Sequence, residues 1–374
     1  MSTPLLQFSA AVLHEIGQPL QIDTVMLQRL EPDDVLIRVQ ASGLCHTDLE
    51  VMDGGLRRPV PIVLGHEAAG VVERVGSAVT RLRPGDMVVA SWNPYCGHCF
   101  YCERDTPILC EPLARNQPRG NLLDGQSRYH LSDGRRLNHF SAVSSHAEFC
   151  VVPQSGAVLV PADIPADRAC LIGCGVMTGV GAVVRQAKVS PGDSVAVVGV
   201  GAVGLNAIQG AVIAGAESII AIDRDPAKLA LARTFGATHM LDASHTDIVE
   251  QVRNLTRSRG VDHVFEAAGK EAAIQLALEI LRPGGHAVLL GKTPVDRPLA
   301  LRFGSLMGEK RIVRSSYGGA RPHRDFPWLA RLYLEGKLKL DELINLRIPL
   351  ADINAGFDAM KRGEIVRAVV EMTA

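Results

Sequence analysis

SVAVVGVGAVGLNAIQGAVIAGAESIIAID, residues 194–223, decides the fold. SVAVVG (194–199) is a short apolar run of the kind that forms a buried strand. AVGLNAIQGAVIAGA (202–216) reads as a helix that is apolar all round, and SIIAID (218–223) as a second strand. Where the first strand meets the helix stands GVGAVG (199–204). Gly199, Gly201 and Gly204 allow a tight turn and let backbone approach a pyrophosphate, whose charge the helix N-terminus favours. Asp223 closes the second strand, where a carboxylate accepts hydrogen bonds from an adenosine ribose. A bare G-x-G-x-x-G is a weak signal. The strand before it, the helix after it and the acid beyond it make this one a dinucleotide site. Asp223 repels a 2′-phosphate and so favours NAD over NADP; the neighbouring Arg224 works in the opposite direction.

The same alternation continues downstream. PAKLALARTFGA (226–237) carries Pro in its first turn and Gly near its end, as helices do. VDHVFEAAG (261–269) and HAVLLG (286–291) read as strands, with the helix KEAAIQLALEILR (270–282) between them. Strands alternating with helices predict an α/β doubly wound parallel sheet. Upstream the pattern differs. DVLIRVQAS (34–42), VVERV (71–75) and MVVAS (87–91) alternate like strands, and Pro84-Gly85-Asp86 is a firm turn, so this region is β-rich. Residues 111–145 are polar and read as a long loop excursion. From about 319 the chain turns irregular and returns to the first domain. The expected division is therefore a first domain over 1–177, completed by 319–374, and a nucleotide domain over 178–318.

Two domains suit 374 residues, more than one ordinary core holds. Net charge is −1 with no long basic run, which argues against nucleic acid or an anionic membrane as partner. MSTPLLQFSAAVLHEIG lacks the basic flank and long apolar core of a signal peptide, and no stretch of about 18 uncharged apolar residues reads as a membrane span. A cytoplasmic, reducing location is expected, where clustered thiols are metal ligands or catalytic groups more often than disulfides.

All eight cysteines lie between positions 45 and 174. Four of them, Cys96, Cys99, Cys102 and Cys110, crowd into CGHCFYCERDTPILC (96–110). The spacing C-x2-C-x2-C-x7-C is too long at its end for a bacterial ferredoxin cluster, which has C-x2-C-x2-C-x3-C-P. Tetrahedral zinc accommodates it. Four thiolates fill every coordination position, so this zinc is structural. A catalytic zinc needs three protein ligands and an open position. Cys45 in GLCHTDLE, His66 in GHEAAG and Cys174 in GCGVMTG are candidates, each weak alone. Cys150 and Cys170 read as small buried hydrophobes.

GLCHTD, GHEAAG, the four-cysteine lobe, GCGVMTG and GVGAVG, in that order, resemble the zinc-dependent alcohol dehydrogenases of the medium-chain dehydrogenase/reductase superfamily, dimeric branch. The likeness runs over essentially the whole chain. It implies a GroES-like catalytic domain beside the Rossmann domain, NAD as cofactor, two zinc ions per chain and a homodimer acting on a small alcohol or aldehyde. It implies catalytic roles for Cys45, His66 and Cys174 as zinc ligands, with Glu67 able to approach the metal. Thr47 takes the proton of the alcohol and Asp48 orients His66. His46 and Arg367, in EIVRAVV, are pyrophosphate contacts. Thr178 and Val203 pack on the nicotinamide, and Lys228 joins Asp223 and Arg224 near the adenosine ribose. Where the family's proton relay ends in a histidine, this chain has Glu50. Trp92, Leu56, Leu109, Phe140 and Met177 stand where the family lines its pocket, and their apolar character points to an aromatic or allylic primary alcohol. Arg115 and Lys292 near the mouth keep a thiol adduct of formaldehyde as one alternative, and a catalytically silent nucleotide-binding relative is the other.

Overall fold

A computed structural model describes residues 4–372. The ends of the expected first domain, residues 1–3 and 373–374, lie outside the described residues. The chain divides into two compact units, 1–174 with 321–374, and 175–320. The expected boundaries were 177/178 and 318/319.

In the first unit, strands Leu6–Leu13, Gln21–Leu27, Tyr129–Leu131, Arg136–His139 and Ile62–Val63 close a barrel. A second sheet runs in the order Ala157–Leu159, Met87–Ala90, Ala68–Val75, Asp34–Gly43, Arg367–Glu371, Ile344–Pro349. Asp34–Gly43 is its centre. It pairs with Ala68–Val75 and Phe149–Pro153 along its length and, at its end, with the returning Arg367–Glu371. The tail is therefore integral to this sheet of the first unit.

Residues 111–145 are not the loop their polarity suggests. They hold the helix Glu111–Asn116 and two strands of the barrel. The strands are only three and four residues long, too short for an alternating pattern to stand out. Their inward side chains Tyr129 and Leu137 are fully buried. The polar residues fold back on the structure: Arg128 donates to the Asp34 carboxylate at 2.6 and 3.1 Å, in a buried ion pair.

The second unit is built on a six-stranded sheet in the order His239–Asp242, Ser218–Asp223, Ser194–Val198, Val261–Glu266, Leu281–Leu289, Arg311–Arg314. Every pairing is parallel. The near-continuous apolar runs VAVV and IIAI follow from burial on both faces of the sheet. Helices Ala202–Ala214 and Pro226–Thr234 make the crossovers flanking Ser218–Asp223, the latter capped by the Asp225 carboxylate on Ala227 N–H at 2.9 Å.

One long element has no signature in the sequence. Ala166–Ala187 is a 22-residue helical run whose apolar window is 78% buried inside the protein, as in a core helix. Gly173, Gly175, Gly179 and Gly181 disguise it, since each glycine weakens an isolated helix by about 1 kcal/mol. Here three of them admit neighbouring backbone. A Cβ would lie 2.7 Å from Ala90 O at Gly173, 2.5 Å from Val203 O at Gly179, and 2.7 Å from Gly318 O at Gly181.

Candidate active site

Three segments of the first unit converge on one point. Cys45 is the residue preceding the helix His46–Met52, directly after the central strand. His66 and Glu67 lie just before Ala68–Val75. Cys174 sits in a π-helical turn, Ile172–Val176, a local widening that recurs at functional positions. One ligand atom from each of Cys45, His66, Glu67 and Cys174 lies within 4.8 Å of the others. Zn–S bonds of about 2.3 Å set sulfurs about 3.8 Å apart on a tetrahedron, so the set fits zinc in size as well as in donor chemistry.

The electrostatics agree. The hydrogen bond from Cys174 holds the Cys45 thiol well below the ordinary range, against burial, and Cys174 is raised in turn. One proton is thus held between two sulfurs, and a bound cation displaces it. Burial disfavours charge on His66, but Asp48 and Cys45 outweigh it and raise its pKa well above normal. Asp48 Oδ1 accepts from His66 Nδ1 at 3.2 Å and from Gly65 N–H at 2.9 Å. This fixes the ring so that Nε2 faces the sulfurs. The Phe140 ring stands edge-on to His66 at 5.6 Å. Phe140 is fully buried and packs in one cluster with Leu49, Met52 and Phe357.

Glu67 and Arg367 form a buried ion pair. Burial raises the Glu67 carboxyl to about 7, with Arg367 pulling the other way. Gly43 makes room for the pair, since a Cβ there would fall 2.3 Å from Glu67 Oε2. Arg367, expected as a pyrophosphate contact, is 6% exposed and engaged by Glu67. Thr47 Oγ1 lies 3.7 Å from Cys45 Sγ, and His46 is exposed on the same first turn.

Cys96, Cys99, Cys102 and Cys110 also gather within 4.8 Å of one another, with Cys96 and Cys102 sulfurs 4.0 Å apart. The Glu111 backbone N–H lowers Cys99 to about 6, while burial pushes Cys110 up to about 12. Cys150 and Cys170 are buried thiols whose burial raises their pKa, as inert packing groups have.

In the second unit, Gly199 has φ +91°, and a Cβ on Gly204 would lie 2.0 Å from Gly199 O. Both positions demand glycine. A Cβ on Gly201 would meet nothing within 4 Å, which leaves the helix N-terminus open for a pyrophosphate. Asp223 Oδ2 accepts from Val200 N–H at 2.7 Å and Oδ1 from Asp225 N–H at 3.1 Å, so the carboxylate also braces the glycine loop. Arg224 is exposed, and Lys228 Nζ lies 4.0 Å from Asp225 rather than beside Asp223. Thr178 and Val203 are half-buried, and Val203 backbone packs on Gly179. The loop fits a dinucleotide.

The sequence did not reveal Ser42, Ser145 and His146. They are fully buried behind Asp48 and share hydrogen bonds. A lone histidine in SSHAEF carries no recognisable spacing.

Two family models match the chain: the alcohol dehydrogenase GroES-like domain over residues 31–162 and the zinc-binding dehydrogenase domain over 202–335. The chain belongs to the zinc-dependent alcohol dehydrogenases of the medium-chain superfamily. It is an oxidoreductase acting on CH–OH groups, and membership implies zinc and a nicotinamide cofactor. It is 37% identical to the alcohol dehydrogenase class-3 of Cereibacter sphaeroides, over 96% of this chain and 98% of that one. It is 36% identical to the S-(hydroxymethyl)glutathione dehydrogenase of Paracoccus denitrificans, over 96% and 98%. The crystal structure of benzyl alcohol dehydrogenase from Acinetobacter calcoaceticus superposes with a TM-score of 0.93 at 31% identity, covering 99% of this chain and all of that one.

Proposed function

We propose that the protein is an NAD-dependent alcohol dehydrogenase that interconverts a primary aromatic or allylic alcohol and its aldehyde, with one catalytic and one structural zinc per chain. The convergence of Cys45, His66 and Cys174 carries the reading. Held by these three residues, zinc would supply a Lewis acid to the alcohol oxygen and bound NAD would supply a hydride acceptor. Two thiolates and a neutral imidazole balance the charge of the ion. Asp48 keeps His66 in the ligating tautomer. Arg367 neutralises Glu67 and so offsets a third negative charge at the ligand set. The Thr47 hydroxyl, beside Cys45, takes the substrate proton. His46, Thr178, Val203 and Lys228 are the proposed cofactor contacts, with Asp223 rejecting a 2′-phosphate.

The aromatic preference is supported by the likeness to a benzyl alcohol dehydrogenase and by the apolar Leu56, Trp92, Leu109 and Met177. A second reading, oxidation of S-(hydroxymethyl)glutathione, is favoured by the activity in the name of the Paracoccus relative. Initial rates with benzyl and cinnamyl alcohol, and with formaldehyde with and without glutathione, separate the two. Turnover confined to the glutathione adduct refutes the first. A homodimer is supported by the strand Arg311–Arg314, which ends the sheet, and by the exposed Val295, Phe303 and Met307 nearby in the chain. Sedimentation equilibrium tests it. Eight unpaired cysteines support a cytoplasmic location.

A further inference from the structure

The histidine that ligates the metal is held by Asp48, and Asp48 is itself backed by a second, fully buried histidine. His146 Nδ1 lies 2.9 Å from Ser42 Oγ, and Ser42 Oγ lies 2.7 Å from Ser145 Oγ. His146 Nε2 lies 3.9 Å from Asp48 Oδ1 and has no hydrogen-bond partner among the described residues. Asp48 Oδ2 is likewise buried and unpartnered among them. The Phe357 ring stands edge-on to His146 at 5.8 Å and restricts its tilt. The backbone is tied in as well: Ser145 N–H donates to Gly65 O and His146 N–H to Leu64 O, both at 3.0 Å. A Cβ on Gly65 would lie 2.7 Å from His146 Nδ1, so the two segments touch directly.

We propose that His146, locked by Ser42, is a positioning residue for the catalytic metal ligand His66, acting through Asp48. A neutral imidazole has one N–H and one lone pair. Beside a buried carboxylate the N–H belongs at Nε2, facing Asp48. Nδ1 then accepts from the Ser42 hydroxyl, and Ser42 accepts from Ser145. Burial holds His146 at about 4, consistent with the neutral ring this arrangement needs. The chain of polar groups runs Ser145, Ser42, His146, Asp48, and the His146 ring backs the Asp48 carboxylate. Held there, Asp48 accepts from His66 Nδ1 and leaves Nε2 free to ligate. No formal charge is added beside the metal, unlike a lysine or arginine in the same place. The dipoles act in a buried, low-dielectric setting where they are strong.

The inference rests on the ligand set proposed above, so the test must distinguish failure of either. Zinc release from purified protein is followed with a colorimetric chelator, and the d–d spectrum is recorded with cobalt at the catalytic site. His146→Phe keeps an aromatic ring against Phe357 and removes both nitrogens. It should speed release of the catalytic ion by about tenfold, the low end for partners behind a metal ligand. The ion of the four-cysteine lobe should leave at the wild-type rate. Ser42→Ala should act in the same direction by freeing the His146 ring, and it carries the test if His146→Phe fails to fold. In an Asp48→Asn background the effect of His146→Phe should vanish. Unchanged release and an unchanged cobalt spectrum in folded variants overturn the inference, as does an undiminished effect in the Asp48→Asn background. Wild-type protein that holds only one, slowly released ion overturns the ligand set itself, and the inference with it.

Discussion

His139 should carry much of the protein's sensitivity to acid. Its ring is fully buried in the barrel, 4.2 Å from the Tyr129 ring, and its Nε2 accepts the Arg128 N–H at 3.2 Å. Burial, then the charges of Arg128 and Arg136, lower its pKa from 6.5 to about 3. The native pKa is depressed, so an unfolded chain binds a proton that the folded one refuses. The resulting stabilisation is complete above about pH 6.5 and is lost as pH falls towards 3. The difference between 6.5 and about 3, at about 1.36 kcal/mol per pH unit, gives about 5 kcal/mol over the full window. Two other groups overlap it. His146, lowered to about 4, has the same sign, whereas Glu67, raised to about 7, gains stability as pH falls from 7 towards 4.5. The comparison with His139→Phe removes both. That variant keeps the stack on Tyr129 and loses about 1–3 kcal/mol at neutral pH, because the Arg128 N–H is left without an acceptor. Urea unfolding is followed by far-ultraviolet circular dichroism at about pH 6.5, 5.5 and 4.5, at one protein concentration. Between the first and last, wild-type stability should fall about 2 kcal/mol further than that of the variant. Parallel lines would refute the claim that His139 is held neutral in the folded state.

Three further substitutions test the two metal sites and the nucleotide loop. Cys174→Ser should lower kcat at least about a hundredfold, since a Lewis acid contributes several kcal/mol, while NAD binding by calorimetry stays close to wild type; retained turnover contradicts its place in the ligand set. Asp223→Ser should shift the ratio of kcat/KM for NAD over NADP towards NADP by about tenfold or more, or about 1.4 kcal/mol. Because Asp223 also braces Val200 N–H, the rate with NAD should drop as well, and an unchanged ratio is the refuting result. Cys99→Ser should lose one zinc per chain by elemental analysis and lower Tm by a few degrees, each 1 kcal/mol lost moving Tm about 1–1.5 °C in a chain this size. Turnover per folded molecule should hold, and a matching collapse of kcat would give the lobe a catalytic part.

How far the sequence discloses the site depends on how local each piece is. GVGAVG and Asp223 are legible because strand, glycines, helix and acid follow one another within a single βαβ unit, so short-range geometry already sets their positions. The four cysteines of the lobe are legible for the same reason. Cys45, His66 and Cys174 are spread over more than a hundred residues, and only their resemblance to a family's order joined them before the fold did. The helix Ala166–Ala187 stayed hidden because its glycines are chosen for backbone contacts elsewhere in the chain, which no local propensity records. The strands within 111–145 stayed hidden because they are short and their charges are satisfied at a distance, Arg128 by Asp34.

Arg367 shows where local reading stops. Its sequence setting, EIVRAVV, announces a cation in a strand and nothing about the anion it meets. The fold answers with Glu67, three hundred positions away, and burial makes that answer consequential. A buried guanidinium without its carboxylate, or the carboxylate without it, would be strongly destabilising, by about 3–5 kcal/mol. The pair is therefore better regarded as one unit than as two site residues. It lets a glutamate stand within ligand distance of Cys45, His66 and Cys174 with a cation beside it. If Glu67 does move onto the metal during ligand exchange, Arg367 must find another anion at that moment.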